Sequence, residues 1–247
     1  MIRKQLLWVL TVFLSFNCYS QISFEKGYFI DNTNQRVNCL IKNIDWKNNP
    51  TEFKYKLSEN SEVIKATIKT IKEFGINNTL KYIRSSVNID RSSDNFNNLS
   101  NDKNPIFQNK TLFLKVLVEG KANLYQYVNN SLRRYFFNKD NSNIEQLIFK
   151  RYKITEKNNG KNNRFRQQLW INLKCPNFKL NKIKNLKYTK SDLVPFFIKY
   201  SECQNNESVS FESKQKLDLF NLTIRPRINN SSFKILNSPS NLRSTDF

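Results

Sequence analysis

Basic and aromatic side chains interleave at Arg133-Arg134-Tyr135-Phe136-Phe137 and again at Lys150-Arg151-Tyr152-Lys153. Such cations can hold phosphates or carboxylates, and such rings can stack on bases or sugars. Placed opposite each other in one hairpin, Arg133, Arg134, Tyr135, Lys150, Arg151 and Lys153 would share a binding face, with Lys161, Arg164 and Arg166 following. The plainer reading weighs more: a half-buried hairpin with a solvated basic face, because alternating rings and charges are what any strand pair shows. If the face is real, acidic glycans or lipopolysaccharide phosphates suit it better than nucleic acid, given the export signal below.

Catalytic chemistry is harder to write. The 247 residues include no His, which excludes a Ser-His-Asp triad, a Cys-His dyad, a His general base and a His-ligated metal. Four glycines, Gly27, Gly75, Gly120 and Gly160, cannot form a phosphate-cradling or dinucleotide-binding loop, so no nucleotide and no cofactor is expected. Ser231-Ser232-Phe233-Lys234 fits S-x-x-K, but so does the segment from Ser213 to Lys216, and no companion motif follows. Glu119, Asp140, Glu145 and Glu156 could supply a glycosidase pair, yet nothing in their spacing brings two of them together. The cysteines lack C-x-x-C spacing, so no metal site is expected. The expected catalytic set is empty.

The N-terminus places Arg3 and Lys4 before an apolar run over residues 6–16 and then Asn17-Cys18-Tyr19-Ser20, the pattern of a signal peptide cleaved after Ser20. The run is about half the ~20 residues that span a bilayer. Acylation of Cys18 is the minor alternative, since Asn17 is bulkier than that chemistry prefers. Cleavage removes two of the 41 Lys and Arg and leaves Cys39, Cys175 and Cys203 in an oxidising compartment. Cys175 and Cys203 flank a helical stretch and are expected to pair; Cys39 sits in the apolar pattern Val37-Asn38-Cys39-Leu40-Ile41 and is expected to be a small buried hydrophobe.

The elements that would carry these residues are mostly strands. Residues 24–30 and 35–41 read as a hairpin across Asp31-Asn32-Thr33-Asn34, followed by strands at 52–57, 63–71 and 80–89. Residues 90–110, rich in Asn, Ser and Asp, read as a solvated loop and a boundary between two sheet halves. Residues 111–118 and 122–128 make the best hairpin, through Glu119-Gly120-Lys121. Its first strand puts Leu112, Leu114, Val116 and Val118 on one face and Phe113 and Leu117 on the other, the pattern of a central strand. A second hairpin joins 131–137 to 146–154.

From Asn163 the period lengthens. Phe165, Leu169 and Leu173, with Trp170 beside them, give a helix at about 163–174, ended by Cys175-Pro176. Leu193, Phe196, Phe197 and Tyr200 give a second at about 190–203, with Thr189 and Asp192 as a capping pair and Pro195 as a kink. The fold class is α+β, mainly β: antiparallel meander or sandwich-like sheets, two C-terminal helices, and a lone barrel-like strand where apolar positions alternate over 217–228.

The 38 Asn, spread over the whole chain with abundant Lys, Ile, Phe and Tyr, point to A+T-rich codon usage, which weakens the formal charge of +21 as a sign of a polyanion partner. Lys26-Gly27-Tyr28-Phe29-Ile30, Ile41-Lys42-Asn43 with Trp46 and Asn49-Pro50, Lys72-Glu73-Phe74, and Phe113 through Tyr127 resemble a family of secreted Bacteroidetes envelope proteins. The likeness extends to Gln146-Leu147-Ile148 with Tyr152, Gln168-Leu169, and Tyr200 with Cys203. It implies an amino-terminal region ahead of an outer-membrane β-barrel. Some relatives carry a tRNA-modification GTPase label, for which this chain has no phosphate loop. Only one or two candidate barrel strands follow, so residues 213–247 read as a truncated lead-in. The expectation is a non-enzymatic envelope module, with an acidic-glycan or lipopolysaccharide binder second, and envelope components as partners.

Overall fold

Among the described residues, Asn34, Asp45, Asn78, Asn130, Asp140 and Asn205 carry the backbone through the left-handed region, and every one is Asn or Asp. Their short polar side chains bond locally and tolerate that conformation, so they do the work usually left to glycine. The structure, a computed structural model, describes residues 23–211 apart from 141, 157 and 177. The expected signal peptide with Cys18, the S-x-x-K serines and the expected barrel-like strand at 217–228 lie outside the described residues.

Between those turns run β1 (Phe24–Asp31), β2 (Arg36–Lys42), β3 (Glu52–Lys56), β4 (Ile64–Thr67), β5 (Ile71–Ile76), β6 (Leu80–Asp90), β7 (Phe107–Glu119), β8 (Ala122–Asn129), β9 (Leu132–Lys139) and β10 (Glu145–Gln146). They form one antiparallel sheet in the order β10-β9-β8-β7-β6-β5-β1-β2-β3-β4, to which β13 (Val209–Ser210) adds beside β7. The fold is mainly β with a helical layer, as its sequence indicates. Two strand expectations change. The segment 63–71 splits into β4 and the start of β5, and residues 90–110 mark no boundary, because β6 and β7 pair directly from Tyr82↔Lys115 to Asp90↔Phe107.

From Phe113 onward strand β7 is buried on both faces, and its residues enter three separate cores. Phe113 packs with Phe29, Phe53, Phe74 and Tyr82; Leu114 and Val116 pack with Val87, Ile89, Tyr125 and Phe136. Leu117 and Val118 pack together against the helices. Strict alternation would send Val118 to the side of Leu114, but the β7–β8 register slips between Val116 and Val118, and such a bulge turns the next side chain to the other face.

The α-helices among the described residues are α1 (Arg164–Asn172), α2 (Leu180–Lys184) and α3 (Lys190–Cys203), the middle one too short to announce itself by periodicity. Phe165, Leu169 and Leu173, with Leu193, Phe196, Phe197 and Tyr200, bury against Leu124, Tyr135 and Phe137 of the sheet, whereas Trp170 stays 41 % exposed. Thr189 does not cap α3 with its side chain. Its hydroxyl donates to Asp192 Oδ1 at 3.2 Å, and Asp192 Oδ2 accepts the Lys187 N–H at 3.0 Å. Pro195 lies inside the helix on its exposed side, where the missing N–H leaves the packing face intact. Cys175 and Cys203 are bonded, with Cα atoms 6.2 Å apart, and Cys39 is free and buried. Gly120, in the β7–β8 turn, lies so close to α3 that a Cβ there would overlap Ser201 Oγ.

Candidate functional site

The six basic and aromatic residues singled out in the sequence do not form one face. After β10 the chain leaves β9, and Lys150–Lys153 pairs as β11 with β12 (Asn159–Asn162) in a separate two-stranded sheet. Tyr188 enters where the strands part. Its hydroxyl accepts the Tyr135 N–H at 2.9 Å and donates to the Leu147 carbonyl at 2.8 Å, replacing one ladder bond of that pair, while the Leu147 N–H still donates to the Tyr135 carbonyl at 2.8 Å. Its ring stacks on Phe149 with centroids 4.7 Å apart. The expected hairpin of 131–137 with 146–154 is therefore only two residue pairs long.

Arg134 is fully buried. Its Nε donates to the Asp90 carbonyl at 2.9 Å, one terminal nitrogen to the Ser92 carbonyl at 2.7 Å, and the other to Asp94 Oδ2 at 2.5 Å. Lys150 is equally buried and donates to the Asn104 carbonyl at 2.7 Å. Both cations thus hold the loop of residues 91–106 and are unavailable to a ligand. Asp90 clamps the same loop at its two ends: Oδ1 accepts from Ser92 Oγ at 2.6 Å and from the Ile106 N–H at 3.2 Å. Burying these charges without partners would cost several kcal/mol each, so the carbonyls of an otherwise polar loop become the groups that make them tolerable. The loop that reads as solvated is in fact stapled to the domain.

Tyr135 is also buried. Burial pushes its phenol up, while Arg133 and the Gln126 amide, which donates to it at 3.2 Å, pull the other way. Arg133 remains exposed, as do Arg151 and Lys153. Arg151 faces Lys161 directly across the β11–β12 pair, a like-charge juxtaposition on the solvent side. Of the cations that follow, Arg166 donates to the Leu186 carbonyl at 2.9 Å and braces α1 against the chain before α3.

Of the four carboxylates considered for acid–base work, Glu119 and Asp140 are each paired with lysine. Glu119 accepts from Lys81 at 2.7 Å, and Lys81 also reaches Glu73 at 3.3 Å. Lys121 lies 2.7 Å from Asp140 and holds that carboxyl below its usual range, the opposite of what a general acid needs. Tyr28, whose phenol is pushed up by burial and by its 2.6 Å bond to Glu73, extends the row, and Arg36 sits over its ring. This is a line of paired charges crossing neighbouring strands, a surface feature missed by motif reading because its members are scattered over 91 positions and meet only through strand order. Among the described residues no group of His, Cys, Asp and Glu could hold a metal ion.

Two concavities stand out. One of about 690 Å³ is enclosed by a single connection, residues 42–54, with Trp46 in its wall. The other, of about 570 Å³, opens between β6, the start of β7 and the segment containing β10. Comparison with known proteins found no matching family model, no similar curated protein and no similar solved structure.

Proposed function

We propose that the chain is a non-enzymatic cell-envelope module, the periplasmic or surface-facing part of an outer-membrane β-barrel protein, with residues 213–247 leading toward the barrel. The observation that carries this reading is the Cys175–Cys203 bond. Disulfides persist in oxidising compartments and are rare where thiols are kept reduced. The charged and apolar start of the chain and the resemblance to secreted envelope proteins support the same address. The dispersal of the basic residues favours a structural role over capture of phosphates or acidic glycans, since Arg134 and Lys150 are committed to the loop of residues 91–106.

The test is expression of the full chain in a Gram-negative host, followed by fractionation, N-terminal sequencing and peptide mapping without reduction. The expected product lies in the envelope, begins near Gln21 and yields a Cys175–Cys203 peptide. An uncleaved, reduced chain in the cytosol would overturn the reading.

A further inference from the structure

The cleft of about 570 Å³ beside β10 has a lining unlike the rest of the molecule. The chain carries 41 Lys and Arg, yet among the described residues no Lys or Arg lines this cleft, and the ionic side chain in that lining is Glu145. The remaining polar lining is amide and hydroxyl, including Asn88, Asn109, Asn143 and Gln168, with the ring of Phe107 among them. Phe107 is 44 % exposed.

The walls are built from groups held in place. On one side β6 has lost its neighbour, because β5 pairs with it only as far as Ile83, so residues 84–90 carry a sheet edge that β5 does not cover. Across the cleft, Gln168 accepts the Ile148 N–H at 2.7 Å and donates to the Gln146 carbonyl at 3.0 Å, which braces that wall against α1. Asn109 donates to Asn88 at 3.2 Å across the β6–β7 pair. Gln146 is 4 % exposed; its Oε1 accepts the Asp90 N–H at 2.8 Å, while its Nε2 has no partner among the described residues. A buried donor without an acceptor is costly, and an acceptor brought by a ligand would remove that cost.

We infer that this cleft binds an uncharged glycan segment. Amides present donors and acceptors side by side, which matches hydroxyls that both donate and accept. An exposed ring supplies the flat apolar surface that the C–H face of a pyranose covers. The volume falls within the roughly 300–1,000 Å³ of small-molecule sites. Glu145, with no cation among the described lining residues, disfavours sulfated or phosphorylated sugars, so the specificity is opposite to that expected from the net charge. The inference does not depend on the compartment proposed above.

The test uses the full chain with maltotriose, cellotriose, chitotriose and mannotriose, a sulfated heparin disaccharide, and an uncharged Ser-Val hexapeptide, by calorimetry and by side-chain amide NMR. At least one neutral trisaccharide is expected to bind with a Kd of about 1 mM or tighter, and to shift the Gln146 side-chain amide resonance. Phe107→Ala and Asn109→Ala, both at exposed positions, should each weaken it about tenfold or more while leaving Tm unchanged. The inference is overturned if no neutral sugar binds at about 10 mM, if neither variant weakens binding, or if the heparin disaccharide or the hexapeptide binds more tightly than every neutral sugar.

Discussion

Arg133 and Arg134 are neighbours in sequence and opposites in the fold, one in solvent and one enclosed with its guanidinium spent on three backbone carbonyls and Asp94. Removing the buried cation strands Asp90 and the loop carbonyls together, so Arg134→Ala should cost about 3–5 kcal/mol in urea unfolding. Arg133→Ala should change stability by no more than about 0.5 kcal/mol. Equal effects would mean that the loop is not held by Arg134. Cys39 illustrates burial acting on a nucleophile: enclosure pushes its thiol from 9.0 up to about 11. The unfolded chain loses that proton first, so this contribution to stability is complete below about pH 9 and is lost as pH rises toward 11. The native protein should therefore resist iodoacetamide at pH 8, and Tm should fall from pH 9 to 11 by less in Cys39→Ala than in the parent.

At the scale of elements, the outcome turned on which partner satisfied each strand edge. The 111–118/122–128 hairpin and both longer helices were legible because apolar period, turn residues and length agreed. The second hairpin was not, because its competitor, the hydroxyl of Tyr188, comes from 41 and 53 positions beyond the Leu147 and Tyr135 groups that it bridges. Tyr188→Phe keeps the ring stack and deletes both bonds, leaving the Tyr135 N–H and the Leu147 carbonyl unsatisfied; a loss of about 1–3 kcal/mol in denaturant unfolding is expected. The disulfide closes a separation of 28 residues between the end of α1 and the end of α3. By the chain-entropy account, replacing both cysteines with serine should lower stability by about 3.5 kcal/mol. A crosslinked peptide containing Cys39 in unreduced maps would contradict the pairing.

The whole molecule is organised around β7, whose neighbouring side chains belong to three cores. Truncating Phe113 or Leu114, both essentially inaccessible, should cost about 3–5 kcal/mol and 2–5 kcal/mol respectively. Because the strand is shared, the loss should shift the entire unfolding transition rather than release one half of the sheet. Coincident near-ultraviolet dichroism and fluorescence transitions check this; two separated transitions would show that the cores unfold independently.

Local chemistry was readable from the sequence alone: the Asp31-Asn32-Thr33-Asn34 turn, the apolar stripes of α1 and α3, the two-faced burial in β7 and the cysteine pair separated by one helical region. Each depends on residues close together in the chain or on composition, so short-range rules suffice. The fate of the charges was decided by tertiary structure. Arg134 and Lys150 look like any surface cations until the loop of residues 91–106 folds over them, and the amide-lined cleft exists only because β6 outruns β5 and β10 returns beside it. Burial is set by what arrives from distant sequence, and the same guanidinium that would bind a ligand in water becomes a structural strut once backbone carbonyls replace that water.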